Sequence, residues 1–326
     1  MYTQDEKLRM YRLLVLMRKY NEAIEASVKK GEIFGLHHLG TGEECIEVAA
    51  ACAAEPKDWI TGQNRWRAHW IDRVGLEVYS AEEFGKDNTT YHGMCAEYHV
   101  AYPEVNCMYN NTLMGSNAAI GSGLAYGLKL DGNQAVHIVA VGDGSFNEGV
   151  VYEAFHMAYE LALPVVFVLH DNGWGWSYRV DRNYGNPAKR ADAFGIPSVD
   201  VDGNDMLAVR RALDDAIAQA RENKPSLVHC ITHRWLGHML GCDPTLYEPP
   251  GESAQFRKTD DCLIRYQDVL LKDGTLTKEM IEAIGRETDE QIAACWEANI
   301  AAPYPSREIV LDKSMVYAVP WEGNEA

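Results

Sequence analysis

Two apolar runs with an amphipathic segment between them dominate the middle of the chain. The first run covers residues 136–141 and the second covers residues 165–169. In the intervening segment apolar side chains recur at spacings of three and four, which is the period of a helix with one buried face. These side chains are Val151, Ala154, Phe155, Ala158 and Leu161. Both runs end in a polar turn, so the pattern predicts strand, turn, helix, strand, turn.

Similar patterns extend to both ends of the chain. Residues 4–30 carry a helical apolar stripe that Gly31 closes. The remaining periodic segments predict strands over 198–201 and 227–232, and helices over 45–54, 115–129, 206–220, 255–272 and 277–299. No linker composition divides the chain, so we expect one domain over residues 1–326. The alternation predicts an α/β fold in which helices cover both faces of a doubly wound, mostly parallel sheet, with extra N- and C-terminal helices.

The two polar turns carry groups that suit a metal ion and a phosphate. The carboxyl ends of parallel strands meet at one edge of a sheet, where ligands bind. Asp143 offers a carboxylate and Asn172 an amide oxygen, and Mg²⁺ accepts such ligands beside waters and phosphate oxygens. A helix predicted to start at Ser145 or Phe146 would direct free N–H groups to the same place. The turns therefore predict a Mg²⁺-diphosphate site.

Composition narrows the class of protein. Among 326 residues, 30 Lys and Arg face 48 Asp and Glu, giving a net charge of −18, which argues against a nucleic-acid partner. The mixed charges of the first residues are unlike a signal peptide, and no apolar stretch approaches the length of a membrane span. Eight cysteines without a CxxC pair indicate reduced thiols rather than a disulfide framework. We therefore expect a soluble, acidic protein of the cytoplasm.

Other polar residues could reach the same edge of the sheet. His37 and His38 are adjacent, and because adjacent side chains diverge, one of them rather than both is expected at a site. Arg65 lies in a cationic segment for which a phosphate contact and a solvated helix N-terminus are equally open interpretations. Arg234 and His238 follow a predicted strand, so both are expected at its ligand-binding end.

The spacing of the two turns resembles that of a known cofactor motif. Residues 145–170 make 26 residues between Gly144 and the pair Asp171 and Asn172. This resembles the thiamine diphosphate fingerprint, in which GDG is followed by a paired asparagine-like turn. Asp171 stands where that family often has its first Asn.

The resemblance then extends over roughly residues 8–250. In order, HLGTGEE resembles the motif HLxxGQE, NRWRAH resembles YRxHGH, GSNAAIGSG resembles GAQxPxGxG, GDGSFNEGVVYEAF resembles GDGxxNQGxxxEAF, and RWLGH resembles RYHGH. These are motifs of the alpha subunit of the thiamine-dependent first component of 2-oxoacid dehydrogenase complexes, which include pyruvate, branched-chain and acetoin dehydrogenases. Arg67 and Leu236 replace family histidines, which puts the substrate in question. NEG in place of NQG is closer to transketolases.

This resemblance implies a cofactor and its ligands. Thiamine diphosphate and Mg²⁺ would be bound at the sheet edge, with His38 facing the substrate and His238 helping to order the loop over the cofactor. Metal ligands would be Asp143, Asn172 and the Trp174 carbonyl. The diphosphate would contact Arg65, Gly144, Ser145, Arg234 and His238, and the backbone from Thr112 to Met114 would meet the aminopyrimidine.

Only one half of such a cofactor site is visible in the sequence. A beta subunit carrying the activating glutamate is therefore implied, in an alpha2beta2 assembly, with a small carbonyl compound as substrate and a lipoyl-bearing acyltransferase as a further candidate partner. Neither a nucleic acid nor a membrane is expected as a partner. Two alternatives remain open: a subunit of a split transketolase or other thiamine-dependent lyase or ligase, and a non-catalytic regulatory subunit.

Overall fold

The computed structural model describes residues 1–95, 99–180 and 186–315. The strands in these ranges are β1 (Trp59–Thr61), β2 (His137–Gly142), β3 (Val165–Asp171), β4 (Trp174–Gly175), β5 (Tyr178–Arg179), β6 (Ser198–Asp202) and β7 (Ser226–Ile231). The helices are α1 (Gln4–Lys30), α2 (Glu44–Ala53), α3 (Ala68–Val74), α4 (Leu76–Glu83), α5 (Ser116–Asp131), α6 (Gly149–Glu160), α7 (Lys189–Asp192), α8 (Met206–Arg221), α9 (Glu252–Thr259), α10 (Cys262–Lys272), α11 (Lys278–Ala301) and α12 (Arg307–Leu311). None of these described helices has the length and apolarity needed to cross a membrane.

The sheet has the predicted doubly wound, parallel arrangement. Five strands lie in the order β1, β2, β3, β7, β6, and every neighbouring pair is parallel. Successive side chains of a strand point to opposite faces, so each face has its own core. Ile138 and Ala140 face the cluster that includes α1, α2 and α8, whereas Val139 and Val141 face α5 and α6. Helices therefore cover both faces of the sheet, as predicted.

A close approach of α5 to β2 explains part of the small-residue segment before the GDG turn. A Cβ atom built on Gly121 would lie 2.3 Å from Cγ2 of Val139, which is well inside van der Waals contact. The neighbouring His137 ring also contacts the Gly121 carbonyl oxygen, at 3.0 Å from Nδ1. The glycine thus sets the depth at which α5 packs on the sheet, and α5 in turn positions the loop that precedes it.

Two local predictions were wrong, and some short elements were not predicted. The helix after the GDG turn begins at Gly149 and not at Ser145 or Phe146, because a short 3-10 turn over Ser145–Asn147 comes first. The helix expected over residues 255–272 is divided at residues 260 and 261, where Asp261 caps the second helix by accepting from the N–H of Leu263. The elements β1, α3 and α4 were not predicted, because they are too short to show a clear period.

A buried ion pair joins the N-terminal helix to the rest of the molecule. Arg18 of α1 donates from Nε to Glu44 of α2 at 2.6 Å and from Nη2 to Asp261 at 2.9 Å. Glu44 is completely buried and Arg18 nearly so. Since Glu44 lies at the start of the helix that follows the HLGTGEE segment, this pair also holds that segment against α1.

We expect Arg18→Ala to lower the free energy of unfolding by about 3–5 kcal/mol, because it leaves a buried carboxylate without its partner. Arg12→Ala, on the same helix, is the matched control. Arg12 and Glu287 form an exposed pair, so its loss should cost less than about 1 kcal/mol. Urea unfolding of both variants tests the difference, and equal losses would contradict it.

Candidate functional site

The carboxyl edge of the sheet contains a cavity of about 590 Å³. It lies where the loops after β1, β2 and β3 meet, together with the loops before α2 and α5 and the segment around His238. Most of the residues that the sequence singled out lie in its wall. They are His38, Arg65, Thr112, Met114, Asp143, Gly144, Ser145, Trp174 and His238. Residues from six separate segments are thus brought to one edge.

Asn172 and Arg234 occupy a different position from the other predicted residues. They line a neighbouring cavity of about 280 Å³, with Trp174 in the wall that the two cavities share. Asn172 still touches the first site, because its backbone N–H donates to Asp143 Oδ2 at 3.0 Å. Arg234 is tied to the hairpin of β4 and β5, since its Nη2 donates to the carbonyl oxygen of Trp176 at 2.9 Å.

The carboxylate of Asp143 binds together the turns after β2 and β3. Its Oδ1 accepts from the N–H of Gly144 at 2.6 Å, and its Oδ2 accepts from the N–H groups of Asn172 and Trp174 at 3.0 and 3.1 Å. Burial, and then the nearby carboxylate of Asp171, raise the pKa of Asp143. A cation beside the buried Asp143 would offset its repulsion from the partly buried Asp171.

Close backbone packing completes the floor beside Asp143. A Cβ atom on Gly144 would lie 3.0 Å from Cα of Gly175, so the GDG turn packs backbone to backbone against the hairpin of β4 and β5. At the tip of that hairpin Trp176 has a left-handed backbone, with φ at 58°, and its ring stacks on His238 with centroids 4.6 Å apart. Strained backbone at a cavity wall is typical of functional sites.

Glu43 lies behind the cavity and was missed by the sequence analysis. Its Oε2 accepts from Nε2 of His170 at 2.7 Å and from Nδ2 of Asn172 at 2.9 Å, and its Oε1 lies 3.8 Å from Nε of Arg65. Burial opposes ionisation, but the hydrogen bond from His170 and the charge of Arg65 outweigh it and lower the pKa of Glu43 to about 2. Glu43 is therefore a buried carboxylate that contacts a predicted metal ligand.

The tautomer of His170 follows from its other partners. An indole N–H can only donate, and Trp66 Nε1 lies 2.9 Å from Nδ1 of His170. Nδ1 is therefore the acceptor, so the ring proton of neutral His170 lies on Nε2 and is donated to Glu43. Because Glu43 and His170 are 127 positions apart, no linear motif joins them.

Several buried nitrogen atoms at the site have no hydrogen-bond partner among the described residues. They are Nε of Arg65, Nε and Nη1 of Arg234, and Nδ1 of His238. Unpaired buried donors are costly, so those of Arg65 and His238 in the first cavity, and those of Arg234 in the neighbouring one, indicate a ligand rich in acceptor oxygens. The donors and the Asp143 carboxylate together fit a metal-bound diphosphate, which is rich in such oxygens.

The two adjacent histidines diverge as expected. His37 turns away from the cavity, with Nδ1 at 3.2 Å from the buried carboxylate of Glu83. His38 lies in the cavity wall, where its ring meets that of His238 edge to face at 4.8 Å. Burial, and then the positive charge of Arg65, lower the pKa of His238 to about 3, so this imidazole is neutral at physiological pH.

The residues that replace family histidines do not line the cavity. Arg67 is fully buried, donating from Nε to Glu83 at 3.0 Å and from Nη1 to the carbonyl oxygen of His38 at 2.9 Å. Leu236 packs against the core that includes α1 and α2. Arg67 therefore supports the loop that carries His38, and neither replacement alters the described wall of the cavity directly.

Comparison with known proteins identifies the family. The model of the dehydrogenase E1 component family matches residues 12–308. The chain belongs to the dehydrogenase E1 component family. Family membership implies a thiamine diphosphate-dependent enzyme, in agreement with the predicted fold, cofactor and reaction class.

The similar proteins include alpha subunits of acetoin oxidoreductases and of pyruvate dehydrogenases. The alpha subunit of acetoin:2,6-dichlorophenolindophenol oxidoreductase from Cupriavidus necator is 32% identical over 314 residues, covering 94% of this chain and 93% of that protein. Its namesake from Bacillus subtilis is 29% identical over 320 residues, covering 97% and 95%. The alpha subunit of the pyruvate dehydrogenase E1 component from Rhizobium meliloti is 28% identical over 297 residues, covering 90% and 85%.

Proposed function

We propose that the chain is the alpha subunit of a 2-oxoacid or acetoin dehydrogenase and that, as one unit over residues 1–326, it holds the Mg²⁺-diphosphate end of thiamine diphosphate. The observation that carries this proposal is the meeting of the Asp143 carboxylate with the Asn172 turn, beside the unpaired nitrogens of Arg65 and His238. Carboxylate and amide oxygens are ligands of Mg²⁺, and arginine suits phosphate. The eight cysteines are all free, which fits an enzyme of the cytoplasm.

Each part of the site then has a task. The metal ligands proposed are Asp143, Asn172 and the Trp174 carbonyl. The diphosphate contacts proposed are Arg65, Gly144, Ser145, Arg234 and His238, and the backbone from Thr112 to Met114 is proposed to meet the aminopyrimidine. When bound, thiamine diphosphate supplies the nucleophilic carbon and the electron sink for cleaving a bond beside a carbonyl group.

The two histidines in the cavity wall contribute polar groups. His238 is uncharged, so we propose that it donates one N–H to a phosphate oxygen and adds no positive charge. Its ring is held between Trp176 and His38 at 4.6 and 4.8 Å. We propose that His38, which meets His238 edge to face in the cavity wall, faces the substrate carbonyl. The stacking fixes both rings before the substrate arrives, which reduces the entropy lost on binding.

A partner chain is the further part of the proposal. Apolar side chains at the mouth of the cavity are exposed, a pattern typical of a surface that another protein covers. They are Leu36 at 61% exposure, Leu113 at 71%, Met114 at 44% and Trp176 at 53%. The relatives are named as alpha subunits, so we propose a beta subunit carrying the activating glutamate, in an alpha2beta2 assembly that passes its acyl group to a lipoyl-bearing acyltransferase.

We predict that Asp143→Ala abolishes Mg²⁺-dependent binding of thiamine diphosphate, because water cannot replace the charge of the lost ligand. Isothermal titration calorimetry with and without Mg²⁺ measures this, and circular dichroism checks that the fold is kept. Asp215→Ala, at an exposed position of α8, is the control and should bind normally. Unchanged cofactor affinity in Asp143→Ala would rule out the metal assignment.

The chain alone should be catalytically inactive. Without the glutamate of a beta subunit, the aminopyrimidine is not activated, so the C2 proton of thiamine diphosphate should exchange slowly with solvent. Adding the beta chain should accelerate exchange and stabilise both chains by mass action. NMR of C2 proton exchange on the purified chain, with its mass confirmed, tests this. Fast exchange in a homo-oligomer of this chain would contradict the two-chain proposal.

The approach to the cofactor should favour an apolar substrate. Leu36, Trp176 and Met239 lie in the cavity wall. In the complex with the beta chain, we expect kcat/KM to be higher for acetoin or a 2-oxoacid with an apolar side chain than for pyruvate. Trp176→Ala should lower kcat/KM for these apolar substrates about tenfold, a loss of about 1.4 kcal/mol of transition-state stabilisation. Tyr304→Ala, which removes an exposed aromatic outside the cavity, is the control; a strong preference for pyruvate, unchanged in Trp176→Ala, would overturn this prediction.

A further inference from the structure

The amide of Asn172 has two ends of nearly the same shape but opposite chemistry. Its oxygen can bind a cation, whereas its NH₂ group can only donate. If Asn172 is a metal ligand, as proposed above, something must hold the oxygen on the metal side. In the structure Nδ2 points to Oε2 of Glu43 at 2.9 Å, and Oδ1 points to the N–H of Trp174 at 3.2 Å.

The direction of the hydrogen bond from Asn172 to Glu43 is set by neighbouring groups whose donor and acceptor roles are fixed. The indole of Trp66 donates to Nδ1 of His170, which leaves the His170 proton on Nε2 for donation to Oε2 of Glu43. Gln63 reinforces the same direction, because its Oε1 accepts from the N–H of Arg65 and its Nε2 is 3.2 Å from Nδ1 of His170. The Glu43 oxygen is therefore an acceptor, and the end of Asn172 that faces it must be the donor.

We propose that Glu43 is a positioning residue for the metal: its Oε2 holds the NH₂ end of Asn172 and thereby turns the amide oxygen toward the cation. The proposal rests on the metal role of Asn172 and adds a residue that touches neither metal nor cofactor. In a flipped amide, Oδ1 would face Oε2 of Glu43 and Nδ2 would face the N–H of Trp174. Both contacts would be repulsive, so both ends of the Asn172 amide favour the observed orientation.

Glu43 could instead act only through its negative charge, and the geometry separates the two explanations. Both donors, Nε2 of His170 and Nδ2 of Asn172, meet the same oxygen, Oε2. The other oxygen, Oε1, has no hydrogen-bond partner among the described residues. A glutamine can therefore keep both hydrogen bonds with its single oxygen while losing the charge, whereas a leucine loses both.

The test is Mn²⁺ binding in the presence of thiamine diphosphate, followed by the EPR signal of free Mn²⁺ on the full chain. Glu43→Leu should weaken Mn²⁺ binding about 10–100-fold, the range typical for residues that orient metal ligands. Glu43→Gln should stay within about threefold of the parent chain, because the acceptor oxygen is retained. Thermal unfolding without metal reports separately on the structural cost of each change.

Glu47 provides the matched control. It is a buried glutamate of α2, the helix that begins directly after Glu43, but its carboxylate accepts from the backbone N–H groups of Arg67 and Ala68 and does not contact Asn172. Glu47→Leu and Glu47→Gln should therefore leave Mn²⁺ affinity unchanged, even where they lower the unfolding temperature. A loss of Mn²⁺ affinity in these controls would show that any buried carboxylate at this end of α2 matters, which would overturn a specific role of Glu43.

Two further results would overturn the positioning role. Glu43→Leu binding Mn²⁺ like the parent would show that the amide needs no such partner. A loss of tenfold or more in Glu43→Gln would assign the effect to charge, and that result overturns the positioning role even if Glu43→Leu does not fold. Failure of the parent chain itself to bind Mn²⁺ with thiamine diphosphate would instead remove the proposed function, and the positioning role with it.

Discussion

Asp143 accepts hydrogen bonds from three backbone N–H groups, and these bonds connect the turns at the ends of β2 and β3. This arrangement is possible because the two strands are parallel and in register, so their carboxyl ends reach the same edge of the sheet. One carboxylate thereby organises the backbone of two turns and the start of the β4–β5 hairpin. The cavity, the stacked His238 and the position of Trp176 all depend on this junction.

Three buried carboxyl groups lie behind this junction. Glu43, Glu44 and Glu47 all lie at or near the start of α2 and are almost inaccessible to solvent. Buried charges are costly unless they are paired and fully hydrogen-bonded. Here each has a separate partner, and each partner belongs to a different part of the fold: His170 in β3, Arg18 in α1 and the backbone before α3. The start of α2 thus links the outer helices to the cofactor edge.

The polar interior and the apolar rim have different consequences for the enzyme. Buried hydrogen bonds fix the ligand groups before any cofactor binds, which lowers the entropy cost of binding. The rim, by contrast, leaves Leu113 and Trp176 exposed in this chain, a cost in water that burial against another surface would remove. Hydrogen-bonded ligand groups beside an exposed apolar rim are well suited to assembly with a second chain.

The sequence alone determined the fold class, the family and most of the cavity wall, because these depend on periodic apolar side chains and on short motifs at strand ends. Gly31, for example, ends α1 in a left-handed conformation as its position predicted. The tertiary structure alone decided how distant residues pair. Neither the contact of Glu43 with His170 and Asn172 nor the burial of Arg67 against Glu83 has a local signal. The start of α6 and the side of the wall on which Arg234 lies depended likewise on packing between segments far apart in the chain.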